Sequence, residues 1–186
     1  MRKLIAAMSL ALLLAGCGEE AQWEANPEPY GGIEVLAKIK EAKMSGATEL
    51  TLDSNEITDL SPLKELTNLE WLWIHDNEIT DLSPLKGVTN LKMLGLSDNK
   101  ITDISPLAVL TELKGLGLRY NEITDLSPLK GLTKLESLYL SGNQITDLSP
   151  LKGLTNLKVL ELWDNPISED QKAMLKKALP KCRIVF

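Results

Sequence analysis

Apolar and polar positions follow a pattern that recurs every 22 residues along most of the chain. In the unit 69–90, LEWLWIHDNEITDLSPLKGVTN, apolar side chains stand at positions 1, 4, 6, 11, 14, 17 and 20. The units that begin at Leu91, Leu113 and Leu135 are apolar at the same positions, and a last unit begins at Leu157. A fixed period of this size predicts a solenoid, in which each repeat buries its apolar face against its neighbours.

Each unit predicts one short strand followed by a turn. Positions 4 and 6 are apolar and flank an outward position 5, which is the period of a strand. The following Thr-Asp-Leu-Ser-Pro-Leu is broken by proline and too short for a full helix, so it favours a turn or a 3-10 segment. An asparagine at position 9 is predicted to satisfy backbone groups where the chain leaves the strand. This asparagine ladder comprises Asn55, Asn77, Asn99, Asn121, Asn143 and Asn165.

The consensus L-x-x-L-x-L-x-x-N-x-I over residues 47–167 resembles the leucine-rich repeat family. Its 22-residue length and the heptapeptide I-T-D-[L/I]-S-P-L are most similar to the internalin type. The resemblance implies an α/β solenoid, right-handed and curved. Its concave side would be a parallel sheet, its convex side 3-10 segments and turns, and its two ends short helical caps.

A short amphipathic helix is predicted before the first repeat, as the N-terminal cap at residues 33–46. Ile33, Leu36, Ala37 and Lys40 are spaced to share one face, with Ile39 and Met44 beside them. A solenoid exposes an apolar end unless a cap covers it, which gives this helix its role.

The C-terminal cap is predicted at residues 168–186. Ser168 and Gln171 form a capping-box pattern before a helix that presents Ala173, Met174 and Ala178 on one side. Residues 182–186 then fall on the strand positions of a truncated repeat, with Cys182 as a buried apolar residue.

The first residues predict export and lipid attachment. Residues 1–16 combine a basic start with an apolar run too short to span a bilayer, as in a secretory signal peptide. The sequence Leu14-Ala15-Gly16-Cys17 resembles the bacterial lipobox, which implies cleavage before Cys17 and its acylation. Residues 17–32 then have the composition of a flexible tether. Gly18 after the cysteine favours the outer membrane in a Gram-negative cell, and a Gram-positive cell surface is the alternative.

Charge narrows the range of partners. The formal charge is −6, and loss of the basic residues of the signal peptide makes it more negative. An acidic surface argues against nucleic acid, because phosphate binding needs a basic stripe. With Cys17 and Cys182 in such different settings, a disulfide framework is not expected.

No catalytic, metal or cofactor site is predicted. The one histidine, His75, lies in no zinc-binding or nucleophile motif, and no phosphate-binding glycine loop is present. The aspartates at position 13 are interpreted as turn or capping residues rather than calcium ligands. These are Asp59, Asp81, Asp103, Asp125 and Asp147. The protein is therefore not expected to be an enzyme.

The outward positions 3, 5, 7 and 8 carry the residues that depart from the repeat. Aromatic residues dominate binding hot spots because they bury large areas at low entropic cost. The predicted ligand-binding residues are Trp71, Trp73, His75, Met93, Arg119, Tyr120, Tyr139, Glu161 and Trp163. Gly95, Gly115 and Gly117 are expected to leave a bare trough between aromatic walls. The alternative is that Trp71 and Trp73 pack on the cap helix or on each other, and Trp163 on the C-terminal cap.

These observations predict a membrane-anchored, extracytoplasmic module that binds a protein or peptide through its concave face. Acidic residues outnumber Arg119 there, which favours a basic partner surface. Two alternatives stay open: binding of carbohydrate or cell-wall glycan through the aromatic residues, and an envelope scaffold without a specific ligand.

Overall fold

Each repeat contributes one three-residue strand to an open, parallel sheet. A computed structural model describes residues 19–186, so the predicted signal peptide and Cys17 lie outside the described residues. Seven strands pair in chain order. They are β1 (Glu49–Thr51), β2 (Trp71–Trp73), β3 (Met93–Gly95), β4 (Gly115–Gly117), β5 (Ser137–Tyr139), β6 (Val159–Glu161) and β7 (Arg183–Val185). Residues at the same repeat position are partners in register, as in Leu72, Leu94 and Leu116.

The chain returns from each strand through a 3-10 segment on the opposite side. These segments are Ser61–Leu63, Ser83–Gly87, Ser105–Val109, Ser127–Gly131 and Ser149–Gly153. Each begins with a serine whose backbone N–H and hydroxyl both bond the aspartate two residues earlier. For example, Ser83 donates to Asp81 Oδ1 at 2.8 and 2.6 Å. These donors hold the pKa of Asp81 below its usual range. The aspartate row therefore caps turns, as the sequence indicated.

Leucine and isoleucine fill the interior between the sheet and the 3-10 segments. In the central repeats the side chains at all seven apolar positions are at most 1% exposed. Burying one such side chain stabilises the fold by about 1.5–3 kcal/mol before entropy is counted. Because each repeat is buried by the next one, the core is a continuous column.

The asparagine ladder runs along the edge where the chain leaves the sheet. Asn121 accepts from the Ile101 backbone N–H (3.0 Å) and donates to the carbonyls of Leu96 (3.0 Å), Leu118 (3.2 Å) and Arg119 (3.2 Å). Asn99 and Asn143 are arranged in the same way, and all three are 7–8% exposed. Each asparagine thus joins its own repeat to the preceding one, mostly through backbone groups that would otherwise be buried without partners.

Exposed ion pairs also join neighbouring repeats, always from a glutamate to the lysine 22 residues later. They are Glu70–Lys92 (2.7 Å), Glu78–Lys100 (3.1 Å), Glu112–Lys134 (2.6 Å) and Glu136–Lys158. Pairs this exposed contribute little to stability, on the order of 0–1 kcal/mol each.

The N-terminal cap is a helix, α2 (Ile33–Ser45), but its buried face differs from the prediction. Val35, Leu36, Ile39 and Ala42 are buried, whereas Ile33 is 41% exposed. The helix is therefore rotated about its axis relative to the predicted orientation, and Met44 is 81% exposed. Gly46 ends the helix in the left-handed conformation, with φ 64°.

The described part of the expected tether, residues 19–32, is folded, and this corrects the prediction of a flexible segment. A helix, α1 (Glu19–Ala25), precedes a 3-10 turn at Glu28–Tyr30. Trp23 packs edge-on against Tyr30, with ring centroids 6.1 Å apart. It also lines a small cavity with Leu36 and Ile39, so α1 lies against the cap helix.

Charge fixes α1 antiparallel to α2. Glu20 pairs with Lys43 at 2.7 Å, and Glu24 pairs with Lys40 at 3.5 Å. Gly31 (φ 82°) then turns the chain close to the first repeat, where an added Cβ would lie 2.8 Å from the Asn55 carbonyl oxygen. Acidic residues that suggested a solvated tether are therefore docking residues.

The C-terminal cap contains α3 (Glu169–Ala178), which begins with the predicted bond from Gln171 N–H to Ser168 Oγ (3.4 Å). Leu175 is the buried residue of α3, whereas Ala173 is exposed. The buried side of the helix is thus centred on Leu175 and not on the predicted Ala173. Cys182 is partly rather than fully buried, and burial raises the pKa of its thiol.

Within residues 19–186, no helix combines the length and apolar character needed to cross a bilayer.

Candidate binding surface on the concave sheet

The outward side chains form rows that run across the strands, one residue per repeat. The row at position 5 is Thr51, Trp73, Gly95, Gly117, Tyr139, Glu161 and Val185. Neighbouring strands are roughly 4.8 Å apart, so side chains in one row touch or cover each other. The concave face is defined here as these rows at positions 3, 5, 7 and 8.

Two of the three glycines, Gly95 and Gly115, do not leave the bare trough that the sequence suggested. A Cβ on Gly95 would lie 2.3 Å from His75 Nε2 and 2.6 Å from the Trp73 ring, so both rings cover that glycine. Met93 covers Gly115 in the same way, with Cε and Sδ at 2.3 and 2.6 Å from an added Cβ. Large side chains on the neighbouring strand lean sideways and fill the space that each of these glycines leaves.

Trp73 and His75 form one unit at the N-terminal end of the concave face. Their rings stack with centroids 5.8 Å apart and an interplanar angle of 28°. The backbone N–H of Ser97 donates to His75 Nδ1 at 3.1 Å, and the backbone N–H of His75 donates to Asp53 Oδ1 at 2.7 Å. The imidazole is therefore held by the Ser97 N–H and the Trp73 ring, and Asp53 anchors the backbone of His75.

Trp71 and Met93 lie at position 3, beside this unit. The ammonium group of Lys92 is 5.7 Å from the centroid of the Trp71 ring, within the range of a cation–π contact. Both side chains are half-buried and face away from the leucine core.

Arg119, Tyr139 and Glu161 form a second unit toward the C-terminal end. Arg119 Nη2 and Nε both donate to Glu161 Oε2, at 2.6 and 3.2 Å. The same guanidinium lies 4.4 Å from the centroid of the Tyr139 ring. The charges of Arg119 and Glu161 offset each other, and the stacked ring fixes their geometry.

Tyr120 and Trp163 form an edge-to-face pair from two repeats that are not neighbours, with ring centroids 5.6 Å apart. Gly142 lies in the repeat between them, and an added Cβ there would be 2.4 Å from Tyr120 Cδ1. Tyr120 has φ 50° and remains 45% exposed. The ring of Trp163 thus contacts another residue of the concave face.

The concave face is acidic. Within residues 19–186, Glu49, Asp53, Asp76, Asp98 and Asp164 form no ion pair, whereas Glu161 is neutralised by Arg119. Asp76, Asp98 and Asp164 occupy position 8 with positive φ, next to each strand exit, and they are exposed. The described residues hold no group of three histidine, cysteine or acidic side chains suited to a metal ion.

The structure thus places the predicted concave residues on one surface in three groups. They are Trp73–His75 with Trp71 and Met93 beside it, Arg119–Tyr139–Glu161, and Tyr120–Trp163. Ser97 and Gly142 were not among the predicted site residues. The signal that could have identified them is positional: a small residue in a row flanked by large ones marks where a neighbour covers the sheet.

Comparison with known proteins agrees with this architecture. A sequence profile described as Leucine Rich repeats (2 copies) matches residues 48–87, 67–110, 89–131, 111–153 and 133–177. A search of the curated proteins finds no match.

Solved structures are similar over most of the chain. An internalin (inlF) from Listeria monocytogenes is 37% identical with a TM-score of 0.72, over 77% of this chain and 43% of that chain. A leucine-rich repeat protein of Leptospira interrogans is 34% identical with a TM-score of 0.73, over 78% and 39%. Internalin C2 (inlC2) from Listeria monocytogenes is 37% identical with a TM-score of 0.62, over 77% and 74%. The chain thus spans less than half the length of the first two.

Proposed function

Because the chain belongs to the leucine-rich repeat family, in its internalin-like form, we propose that it is a lipid-anchored envelope protein that binds a protein or peptide on its concave face. Leucine-rich repeat proteins generally mediate protein–protein interaction, and internalin-like relatives are typically non-enzymatic scaffolds. The concave site and the lipid anchor are the parts specific to this proposal.

One observation carries the concave-face proposal: the large side chains that break the repeat lie together on the outward side of the sheet. Trp73 with His75, and Tyr120 with Trp163, present aromatic surface whose geometry is already fixed by ring contacts. Side chains that are ordered before binding lose less entropy when a partner covers them. Such residues are the usual source of most of the binding energy at an interface.

The charge of the face supports a basic partner surface. Asp76, Asp98 and Asp164 lie along one edge of the sheet, are exposed and form no ion pair among the described residues. A row of one sign of charge attracts the opposite charge and speeds association at low ionic strength.

The ring contacts favour a protein over a glycan. A sugar would stack on an open aromatic face, yet Arg119 covers one face of Tyr139 and His75 stacks on Trp73. The surface instead combines aromatic edges, an ion pair and acidic groups, which is the mixture found in protein interfaces.

Site-specific photocrosslinking would test the concave site. A benzoylphenylalanine replacing Tyr120 (45% exposed) should form a covalent adduct with an envelope protein, because this position faces the partner. The same residue replacing Val109 (50% exposed), in a convex 3-10 segment, should not. Adding Trp73→Ala should weaken the Tyr120 adduct by about thirtyfold in apparent affinity, as expected for a hot-spot residue worth about 2 kcal/mol.

The two positions are matched in exposure, so they differ mainly in the face they occupy. Equal adducts from both positions would place the partner elsewhere. No adduct from either would favour the alternative of an envelope scaffold without a specific ligand.

We also propose that Cys17 carries the lipid that holds the protein on a membrane, in the outer membrane where the cell has one. The support is the lipobox resemblance at residues 14–17 and the apolar run before it. Two or more acyl chains are needed for stable anchoring, at about 0.8 kcal/mol per buried CH₂.

Replacing Cys17 by serine should abolish incorporation of an alkyne-labelled palmitate and move the protein from the membrane to the soluble fraction. Cys182→Ser is the matched control and should leave both unchanged, because that thiol is partly buried in the C-terminal cap. Labelling that survives Cys17→Ser would refute the anchor.

A further inference from the structure

One glycine of the concave face, Gly117, is not covered by a neighbour. An added Cβ there would lie 3.4 Å from Ser97 Oγ, 3.7 Å from His75 Cε1 and 3.8 Å from Gly95 Cα, which are ordinary contacts. At Gly95, Gly115 and Gly142 the corresponding distances are 2.3–2.4 Å. The sheet therefore has a gap above Gly117, one residue wide.

Large side chains bound this gap on both sides. Gly117 is in register with Gly95, which Trp73 and His75 cover, and with Tyr139 on the next strand. With strands roughly 4.8 Å apart, the backbones of Gly95 and Tyr139 are about 10 Å from each other across the gap. Met93, which covers Gly115, lies beside it on the same face. The Gly117 notch is defined here as this gap with its neighbours Trp73, His75, Met93, Ser97 and Tyr139.

Two hydrogen-bond donors at the notch have no acceptor among the described residues. His75 Nδ1 accepts from the Ser97 N–H, so the proton of the neutral imidazole is on Nε2. Ser97 Oγ accepts from the Arg119 N–H (3.2 Å), which leaves the hydroxyl proton to be donated. Ser97 is 8% exposed as a residue, so an unmatched donor there is costly unless a ligand accepts from it.

The charges around the notch exclude both kinds of ion as the preferred occupant. A carboxylate would meet Asp76 and Asp98, which follow His75 and Ser97 in the chain and form no ion pair in residues 19–186. A cation would face the His75 Nε2–H and Ser97 Oγ–H donors rather than acceptors. An uncharged oxygen acceptor on an apolar stem fits the donors and the flanking rings.

We infer that the Gly117 notch is the specificity pocket of the concave face, and that it takes an asparagine or glutamine side chain of the partner. The amide oxygen accepts from Ser97 Oγ–H and His75 Nε2–H, and the stem packs between Trp73 and Tyr139. Basic residues beside that amide would meet the acidic row at position 8. This inference rests on the proposed function, because it requires that the partner binds the concave face.

A phage-displayed library of random linear peptides, selected on the full chain in detergent, is the probe. Selected peptides should share an asparagine or glutamine. Their affinity should fall about tenfold or more when that residue is changed to glutamate or aspartate, or when the protein carries Gly117→Val. The matched control is Gly131→Val on the convex side, where an added Cβ meets nothing within 4 Å, and it should bind like the native chain.

The variant Gly117→Ala controls for misfolding, because its single Cβ makes ordinary contacts. Its unfolding temperature should equal that of the native chain, and its affinity for the peptides should be lower. The inference is overturned if no peptide is enriched, if the enriched peptides lack a shared amide, or if they bind Gly117→Val as tightly as Gly131→Val. Peptides that need Trp73 and Tyr139 but tolerate Gly117→Val would overturn the notch alone. Peptides that also tolerate loss of both rings would overturn the concave-face proposal itself.

Discussion

Replacing Asn121 by alanine is expected to lower the free energy of unfolding by about 3 kcal/mol, measured by urea denaturation at neutral pH. The side chain bonds one backbone N–H and three carbonyls from two neighbouring repeats, and the residue is 7% exposed. Alanine leaves the Ile101 N–H and the Leu96 and Leu118 carbonyls buried without this partner, and water cannot reach them. The Arg119 carbonyl keeps its bond from the Asp98 N–H (2.8 Å). The loss should therefore exceed that of an ordinary hydrogen bond.

Asn55→Ala provides the matched control at the end of the same ladder. The Asn55 side chain donates to one carbonyl, that of Asp53 (2.6 Å), and the residue is half-buried. Its removal should cost less than about 1 kcal/mol, because water can replace the lost bond. Equal losses at the two positions would show that the ladder does not act through burial.

Deletion of residues 113–134 is expected to leave a folded, shorter solenoid that unfolds cooperatively at a lower temperature. These 22 residues are one whole repeat, so Leu135 would take the place of Leu113. Equivalent residues of neighbouring repeats pair in register, and stability in such arrays is nearly a sum over repeats and their interfaces. Circular dichroism during heating would measure the transition.

Deletion of the half repeat 113–123 is the control and should not yield a folded protein. It would move Asn143 and the leucines that follow out of register with the repeats before it, which places apolar positions outward. The whole-repeat deletion also removes Gly117 and Arg119, so it should fold without binding the peptides selected on the native chain. Similar stability of the two deletions would contradict the repeat-by-repeat description.

The scaffold could be predicted from sequence because its signals are repeated and local. Leu72 and Ile74 show the strand period in one unit, and every later unit confirms it. Asn77 follows at a fixed position, and the bonds of its counterparts have the same partners in each repeat. Averaging over repeats removes the ambiguity that a single strand of three residues would carry.

The caps occur once each, and their details were predicted less well. Both Ile33 and Val35 are apolar, and the periodicity of one short helix does not decide which is buried. Docking on the first repeat buries Val35 and leaves Ile33 at 41% exposure. The sequence predicts that the acidic residues of α1 are solvated, because their partners, Lys40 and Lys43, are distant in sequence.

The concave surface was predicted in its residues but not in its shape. Alternation along a strand tells that Trp73 and Gly95 face outward, and it does not tell that the tryptophan ring lies over the glycine. The Arg119–Glu161 pair likewise spans two repeats, a separation that no local pattern indicates. Side-chain direction across strands depends on which neighbour leaves space, and that is a property of the assembled sheet.

The large residues that lie over glycines have a consequence for folding. Nearly identical repeats could pair in the wrong order, since the leucines, asparagines and glutamate–lysine pairs fit any neighbour equally well. Trp73 and His75 fit beside Gly95, and Tyr120 fits beside Gly142, because a Cβ at either glycine would collide with those rings. Each such ring can lie against a repeat that has glycine at the facing position, and it would collide with the Cβ of most other repeats. The same side chains that form the surface for a partner thus also favour the correct pairing of neighbouring repeats during folding.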